Sequence, residues 1–303
     1  MVLLSRNFNM IMPPFQFVSL QIRMAYFVEV LLLFIQYNRF IYLQNTEELF
    51  LKTNRTVQRA IQMLSYTAAH PEGVSLDEYC EQLALPKTSA YDILVTLVQE
   101  GMLSIKPGPK QLYQIGIFAY RIGMSYPDAN DTLKLISSEL TELARTSDRT
   151  AFFGKLSNGE VVYLLKEVPD NPIITTATVG STAPLYCTSL GKTLLAFLPK
   201  EQSAVLLEQL TIQPRTRYTL KSKAALMENL ECIRARGYAL DFREYEEHMV
   251  CASAPIYQRN GTLEGAVSIS GFYRPKDDYH AVGQLIARKA AEISRLLGCR
   301  TQE

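Results

Sequence analysis

Two short helical patterns, separated by a proline and followed by a hairpin pattern, lie within residues 75–113. Ser75 and Glu78 form the Ser-x-x-Glu signature of a capping box, and apolar residues then recur at helical spacing. Pro86 ends this first helix, because proline cannot continue a helix and biases the residue before it away from the α conformation. A second helix is predicted directly after this proline and ends at Gly101, since glycine commonly follows the last helical residue.

The hairpin pattern consists of Leu103–Ile105, a turn at residues 106–110 with a lysine at each end, and Leu112–Ile115. A third helix is predicted before the pair, at Arg55–Leu64. Its apolar face is predicted to consist of Val57, Ala60, Ile61 and Leu64. Three helices and a hairpin with a basic tip predict a winged helix-turn-helix domain. The alternative is a generic helical hairpin on a two-stranded ribbon, which has no need of the two lysines.

A winged helix-turn-helix domain places the start of its second helix in the major groove of DNA. The chain has a formal net charge of +1, and its first domain carries as many acidic as basic residues. Binding must therefore come from a local arrangement of cations, or from a dimer that doubles the contacts. The candidate DNA-binding residues are Arg55, Arg59, Lys87, Thr88, Ser89, Tyr91, Asp92, Lys106 and Lys110.

The second half of the chain predicts an α+β domain, because paired strand patterns occur together with amphipathic helices. Strands at Ala151–Leu156 and Glu160–Leu165 are joined by a turn that ends in glycine, and strands at 250–257 and 264–269 are joined by Arg259-Asn260-Gly261. Helices are predicted at 200–210, 222–236 and 277–297. The inward face of the last helix is predicted to consist of Val282, Leu285, Ile286, Ala290, Ile293 and Leu297.

Residues 1–50 form an atypical hydrophobic N-terminal extension. Its apolar part is interrupted by Arg23, Glu29 and Arg39, so no uncharged run reaches the length of a membrane span. The extension also lacks the small-residue cleavage site of a signal peptide. Three interpretations stay open: a membrane anchor, an extra packed helix, or translated upstream sequence from a start codon placed too early. The last interpretation is favoured.

The five cysteines are scattered and form no Cys-x-x-Cys pair, which is typical of reduced thiols in the cytoplasm. With three histidines in the chain, a metal site is not expected. No cofactor is expected either, because Tyr186 stands where a phosphate-binding loop ending in Gly191-Lys192-Thr193 needs its first glycine. Ser189 and Leu190 instead begin a helix whose unpaired N–H groups favour a small anion, unless this is an ordinary exposed helix start.

The order of several sequence blocks resembles the IclR family of bacterial transcription regulators, from about Arg55 to Leu297. In the first domain the matching blocks are Leu85-Pro86-Lys87-Thr88-Ser89, Leu94-Val95-Thr96-Leu97, Glu100-Gly101 and Tyr113-Gln114-Ile115-Gly116. In the second domain they are Pro184-Leu185, Ser189 to Phe197, Gly237 to Asp241, Glu244, Val250 to Pro255 and Val267 to Gly271. The resemblance covers nearly the whole chain apart from the extension.

The resemblance implies a winged helix-turn-helix domain at residues 51–116, a linker helix at 117–127, and an effector-binding and oligomerisation domain at 128–303. This last domain is expected to have a GAF-like fold, an antiparallel sheet flanked by helices. The implied protein is a cytoplasmic homodimer or tetramer that binds a double-stranded DNA operator and a small organic acid, without catalytic activity and without a membrane. By the same resemblance, the organic acid contacts Ser189, Leu190, Asp241, Cys251, Ser268 and Ser270.

Two positions depart from the pattern of the family. Asp92 stands in the recognition helix where an arginine that contacts DNA is usual, and His248 stands where glycine is common. An aspartate at that position repels phosphate, and it can contact a base only by accepting from a cytosine amino group. Both departures bear on which operator and which ligand are bound.

Other classes of function are weighed against this interpretation. An enzyme or a metal-dependent sensor acting on a small keto or hydroxy acid could use Cys251 with His248, or a zinc ion on Cys187, His248 and Cys251. The odd spacing of His248 and Cys251 places their side chains on opposite faces of a strand, and the zinc set has no structural-site spacing. A membrane-tethered regulator is the third class.

Overall fold

The computed structural model describes residues 53–128, 131–170 and 175–299, and the chain divides into two units, one ending at Gly123 and the other beginning at Met124. The division falls inside the helix that the sequence predicts as a linker. The hydrophobic extension predicted at residues 1–50 lies outside the described residues. Within the described ranges, no helix is both long enough and apolar enough to cross a membrane.

The first unit contains helices followed by a two-stranded hairpin, as predicted. Its elements are α1 (Arg55–Ala68), α2 (Leu76–Gln82), α3 (Lys87–Gln99), β1 (Leu103–Lys106), β2 (Leu112–Ile115) and the first part of α4 (Ile117–Asp128). The capping box of α2 is formed. Ser75 Oγ accepts from the Glu78 N–H at 3.4 Å, and Glu78 Oε2 accepts from the Ser75 N–H at 2.7 Å.

Tyr79 joins the parts of the first unit. Its side chain is fully buried, and its hydroxyl lies 2.5 Å from Thr67 Oγ1 on α1. On its other side, the ring of Tyr113 in β2 lies 6.2 Å away between centroids. The buried residues of α3 pack in the same hydrophobic core as Tyr79 and Tyr113. The start of α3 and the turn after β1 lie outside this core and are exposed.

The predicted apolar face of α1 is wrong at two positions. Val57 and Ile61 are 54% and 58% exposed, whereas Met63 is fully buried and Thr67 is 1% exposed. The buried stripe is rotated toward Met63 because α1 packs on Tyr79, whose hydroxyl contacts Thr67. Val57 and Ile61 therefore form an apolar strip on the surface of the first unit.

The second unit is an antiparallel sheet with helices on both faces. Its strands are β3 (Thr150–Ser157), β4 (Glu160–Glu167), β5 (Thr182–Ala183), β6 (Ala239–Phe242), β7 (Met249–Tyr257) and β8 (Leu263–Phe272). Its helices, after the end of α4, are α5 (Asp131–Ser147), α6 (Ser189–Phe197), α7 (Lys200–Gln209), α8 (Lys223–Arg236) and α9 (Tyr279–Leu296). The strands follow the order β5-β4-β3-β8-β7-β6, with all neighbours antiparallel. The predicted α+β class is confirmed.

The sheet separates two apolar layers, because successive residues of a strand face opposite sides. Helices α5 and α9 pack on one face over Phe153 and Ile269. Helices α6 and α8 pack on the other face over Phe152 and Ala266. The polar residues Ser268 and Ser270 belong to the same face as Ala266, and they lie where α6 begins.

The turn between β3 and β4 has the backbone that its sequence predicts. Asn158 and Gly159 have φ values of 50° and 79°. Both values lie in the left-handed region, which a two-residue hairpin turn of this kind requires and which asparagine and glycine tolerate best. The register of β3 and β4 is fixed by this turn, with Ser157 opposite Glu160.

The predicted inward face of α9 is wrong at one position, because Leu285 is 37% exposed.

Helix α9 approaches the chain before β6 at Gly283. A Cβ atom at Gly283 would lie 2.1 Å from the ring of Tyr238. This ring is held by a 2.8 Å hydrogen bond between its hydroxyl and Nδ1 of His280, which is also on α9. Because Tyr238 directly precedes β6, this close approach sets the position of β6.

We expect Gly283→Ala to lower the stability of the protein by about 1–3 kcal/mol, because the added methyl group overlaps a ring that cannot rotate away. Gly123→Ala is the matched control, since Gly123 is also helical and a Cβ there meets nothing within 4 Å. Thermal unfolding of the two variants checks the prediction. Equal melting temperatures in both would contradict the proposed packing of Tyr238 on α9.

Candidate ligand pocket and nucleic-acid interface

A row of polar side chains crosses the α6 face of the sheet. Asp241 on β6 is paired with Cys251 on β7, and Cys251 is paired with Ser270 on β8. Residues directly opposite each other on antiparallel strands face the same side, so these side chains lie next to one another. Ser270 Oγ donates to Cys251 Sγ at 2.9 Å, and Ser268 lies two residues earlier on the same face of β8.

The start of α6 lies above this row. Thr188 caps the helix, because its Oγ1 accepts from the Gly191 N–H at 3.0 Å. Gly191 is required here, since a Cβ would lie 2.4 Å from the backbone of Leu185. The N–H groups of Ser189 and Leu190 have no acceptor among the described residues. They are the unpaired donors that make a helix start favourable for an anion.

Between the helix start and the sheet lies a small cavity of about 40 Å³. By the same measure one water needs roughly 10–15 Å³, so the space suits a ligand of a few non-hydrogen atoms. The structure brings all six sequence-predicted ligand residues to this cavity: Ser189, Leu190, Asp241, Cys251, Ser268 and Ser270. Lining residues that the sequence did not predict are Phe152, Tyr163, Thr175, Thr176, Ala177, Thr188, Tyr245, Glu246 and Met249.

Two segments without a sequence signal cover the mouth of the cavity. Thr176 Oγ1 donates a short hydrogen bond to Glu246 Oε1, which connects the segment at 175–177 to the loop between β6 and β7. The neighbouring Thr175 Oγ1 is buried and has no hydrogen-bond partner among the described residues. Because Thr175 also lines the cavity, a hydroxyl of this kind can donate to a ligand oxygen at little cost in desolvation.

A buried ion pair lies one turn into α6. Lys192 is fully buried, and its Nζ donates a short hydrogen bond to Oε1 of Glu244, whose side chain is 9% exposed. The second carboxylate oxygen of Glu244, Oε2, is buried and has no hydrogen-bond partner in the part of the chain that the structure describes. Sequence reasoning missed both residues as parts of the site. The available signal was a single lysine within the otherwise apolar run of α6, since a buried charge must be paired.

Asp241 is almost completely buried beside this ion pair, with 3% of its surface exposed. Burial raises the pKa of Asp241 to about 7, although the Lys192 ammonium opposes the shift. Its Oδ1 also accepts from the backbone N–H groups of Glu244 at 2.7 Å and Tyr245 at 3.3 Å. Asp241 therefore orders the loop between β6 and β7 and presents a carboxyl group to the cavity whose charge changes near neutral pH.

The thiol chemistry weighed from the sequence finds little support in this geometry. Burial raises the pKa of the Cys251 thiol far above its ordinary value, which opposes the thiolate that a nucleophile requires. His248 precedes β7, is mostly exposed, and lies 3.7 Å from Glu246 Oε2. Among the described residues there is also no group of three or more histidine, cysteine or acidic side chains arranged to hold a metal.

The candidate DNA-binding residues lie on one unit but on separate elements. Lys87, Thr88, Tyr91 and Asp92 are exposed on the first turns of α3, with Tyr91 51% exposed. The remaining candidates lie on α1, at the inner edge of α3 and on the hairpin: Arg55, Arg59, Ser89, Lys106 and Lys110. The start of α3 and the turn of the hairpin are thus both accessible in this unit.

Several of these cations already have partners within the unit. Lys87 Nζ lies 2.8 Å from Asp77 Oδ1, and the pair is largely exposed. Lys106 Nζ donates to the carbonyl of Glu72 at 3.0 Å. Arg59 Nη1 donates to Ser89 Oγ at 3.2 Å. Exposed contacts of this kind contribute little free energy, so phosphate oxygens can replace the present acceptors.

The sequence of each unit matches a known family model. Residues 56–105 match the IclR helix-turn-helix domain, and residues 124–295 match the C-terminal domain described as bacterial transcriptional regulator IclR C-terminal. The glycerol operon regulatory protein of Streptomyces griseus is 31% identical over 218 residues, which cover 72% of this chain and 84% of that protein. The transcriptional repressor IclR of Escherichia coli is 27% identical over 248 residues, which cover 80% and 90%.

Solved structures have the same fold. The crystal structure of the Thermotoga maritima IclR protein superposes with a TM-score of 0.60 and 28% sequence identity. The match covers 80% of this chain and 98% of that protein. The likeness therefore extends over both described units.

We expect Asp241→Asn to raise the melting temperature more at pH 8 than at pH 5. Burial raises the pKa of Asp241 from 3.8 to about 7, so its neutral form is favoured in the folded state and stability is lost as pH rises between these values. An asparagine keeps the acceptor for both backbone donors and does not ionise. Between pH 5 and the folded-state pKa of about 7 lie two units, so at 1.36 kcal/mol for each unit the difference between the two pH values is about 3 kcal/mol, or roughly 5–10 °C.

The matched control is Asp148→Asn, because Asp148 is exposed and both residue types tolerate its left-handed backbone. It should show no such dependence on pH. Thermal unfolding at both pH values checks the prediction. A gain of equal size at pH 5 and pH 8 would contradict the burial of an ionisable Asp241.

Proposed function

The chain belongs to the IclR family of bacterial transcriptional regulators, and we propose that it binds operator DNA through its first unit and senses a small organic acid with its second. One observation supports the sensing of a small organic acid: the free N–H groups at the start of α6 and the row of polar side chains on the sheet line the same small cavity. The polar row is set within an otherwise apolar layer, because the residues that surround it on this face of the sheet form a hydrophobic core.

DNA binding is assigned to the winged helix-turn-helix domain at residues 51–116. The exposed start of α3 fits the major groove, where Thr88, Ser89 and Tyr91 can reach base edges. Lys106 and Lys110 would contact phosphates on either side of the wing. Asp92 has no favourable phosphate contact in this arrangement, so it either accepts from a cytosine amino group or limits affinity.

The ligand is a small carboxylate whose oxygens accept from the N–H groups of Ser189 and Leu190. Its other polar atom faces Asp241, Ser268 and Ser270, and Cys251 supplies a soft wall. Each charge-assisted hydrogen bond contributes roughly 1.5–3 kcal/mol. After the costs of desolvation and ordering, this number of contacts gives a dissociation constant on the order of micromolar.

The regulator acts as a homodimer or tetramer in this proposal. Exposed apolar side chains on the first unit support self-association, among them Ile61 on α1 and Ile117 and Tyr120 on α4. Two copies would also double the cations offered to DNA. The helix at residues 117–127 would transmit the ligand's effect as a shift between two settings of paired DNA-binding domains.

No catalytic activity is assigned to the cavity. Its cysteine is held in the protonated form by burial, and a regulator gains from retaining its ligand unchanged. Because operator DNA lies in the bacterial cytoplasm, the proposal places the protein there. Turnover of a small keto or hydroxy acid by the purified protein would favour the alternative of an enzyme. Pelleting of the full chain with membranes would favour a membrane-tethered regulator.

Replacing Lys106 and Lys110 with alanine should weaken binding to every DNA sequence. The slope of log affinity against log salt concentration should fall by about one for each phosphate contact that is lost. Lys134→Ala is the matched control, because Lys134 is an exposed lysine of the second unit. Gel-shift titrations at several salt concentrations provide the measurement. An unchanged slope would mean that the hairpin is not a DNA-binding wing.

Replacing Ser268 and Ser270 together with alanine should weaken the small acid's binding by roughly 10–100-fold, since two hydrogen bonds are removed from a buried site. Operator binding without ligand should stay unchanged, because both serines belong to the second unit. Calorimetry with a ligand found by thermal-shift screening checks the first outcome, and a gel shift checks the second. Binding equal to that of the parent would place the ligand elsewhere.

A further inference from the structure

The wall of the cavity opposite the helix start is acidic. Asp241 lines it, and Glu246 lines its mouth. Lys192 is nearby, but its ammonium is fully buried and engaged by Glu244, and neither of these two residues lines the cavity. No lysine or arginine is among the residues that line it in the described part of the chain. The cavity therefore offers an anion uncharged donors on one side and carboxyl groups on the other.

We infer that this cavity binds short monocarboxylates together with one proton, which Asp241 holds, and that it discriminates against dicarboxylates of the same length. The inference rests on the proposed sensing of a small organic acid and names the ligand's charge. Asp241 is the residue that determines this specificity.

The charge balance at the buried end of the cavity supports the claim that a monocarboxylate binds together with a proton. Burial raises the pKa of Glu244 as well, but its ion pair with Lys192 opposes this shift, so the pair carries no net charge and the net charge there is set by Asp241. If Asp241 were ionised, a ligand carboxylate would enter a cavity that already carries an unbalanced negative charge at low dielectric constant. A proton on Asp241 removes this repulsion. It also lets Oδ2, the oxygen that does not accept from the loop backbone, donate a hydrogen bond to the ligand's other polar atom.

The groups that face Asp241 from the surrounding elements leave this conclusion intact. They are Lys192 from α6, Glu244, Tyr245 and Glu246 from the loop after β6, Tyr163 from β4, Cys251 from β7 and Cys187 before α6. Burial raises the pKa of Tyr163 and Cys251, and raises that of Cys187 to about 12, so all three stay neutral. Two further cations contact lining residues but have partners there: Lys166 Nζ donates to the carbonyl of Ala177 at 2.7 Å, and the Arg215 guanidinium lies 5.2 Å from the centroid of the Tyr245 ring.

Discrimination against dicarboxylates follows from the same set of charged and titratable groups around the cavity. Because the first carboxylate occupies the free N–H groups of Ser189 and Leu190, a second one would find only neutral hydroxyl donors among the lining residues of the described chain, beside the carboxyl groups of Asp241 and Glu246. With a cavity of about 40 Å³, the ligand cannot extend its second charge far from these side chains. Neutral hydroxyls compensate its desolvation only in part, because no lysine or arginine is among the lining residues in the described part of the chain.

The proton gives binding a defined dependence on pH. Burial raises the pKa of Asp241 to about 7 in the free cavity, so below that pH the affinity for a monocarboxylate is constant. Above it, each binding event takes up one proton, and affinity falls by up to tenfold for each pH unit until the higher pKa of the occupied cavity is reached.

Two matched pairs of probes test the inference: lactate with tartronate, and 2-hydroxybutyrate with malate. In each pair a methyl group is replaced by a carboxylate. Calorimetry on the full chain, repeated in buffers of different ionisation enthalpy, measures affinity and proton uptake at pH 6.5, 7.5 and 8.5. We expect a monocarboxylate to bind at least tenfold more tightly than its partner and to take up close to one proton at pH 8.5.

Asp241→Asn should abolish this proton uptake and reduce the pH dependence to less than twofold, while Glu246→Gln, at the mouth, should leave the uptake unchanged. The inference would be overturned if proton uptake persisted in Asp241→Asn, or if each dicarboxylate bound as tightly as its monocarboxylate partner. Neither result would contradict the proposed sensing of a small organic acid. Absence of binding by all four probes to a protein that still shifts DNA would overturn the ligand class. Unchanged binding in the Ser268 and Ser270 double variant would instead count against the proposed function itself.

Discussion

The ion pair between Lys192 and Glu244 fixes the relation between the two walls of the cavity. Lys192 belongs to α6, which carries the free N–H groups, and Glu244 belongs to the loop that follows Asp241. Breaking a buried pair of this kind costs about 3–5 kcal/mol, because the remaining charge is left without a partner. The helix start and the acidic wall therefore cannot move apart independently, which preserves a cavity of only a few water volumes in the absence of a ligand.

The same loop depends on Asp241 for its shape. One carboxylate oxygen of Asp241 accepts from the backbone N–H groups of Glu244 and Tyr245, so a residue that lines the cavity also orders the segment that holds Glu244. A change in the charge or position of Asp241 would thus reach the ion pair, and through Lys192 the start of α6. In the proposed function, this connection gives the ligand a route from its own contacts to the packing of the second unit.

Local sequence signals predicted much of the fold but only part of the site. The capping box at Ser75 and the turn at residues 158–159 were predictable, because neighbouring residues determine both. The buried face of α1 was not, since the position of Tyr79 on another helix decides that Met63 rather than Ile61 is buried. Lys192 was missed for the same reason, as its partner is 52 residues away. The mouth of the cavity at 175–177 has no periodic pattern to predict it.

The distribution of charge in the first unit bears on how a ligand signal could reach DNA. Lys87, Arg59 and Lys106 each make a contact inside their own unit, so a single copy offers DNA few cations without exchanging partners. Each exchange is nearly neutral in free energy, and in the proposed homodimer or tetramer the affinity would then depend on how many phosphates two copies contact at once. A small change in the spacing of paired domains would remove several contacts together. A weakly charged domain is therefore better suited than a strongly basic one to respond to a ligand that contributes only a few kcal/mol.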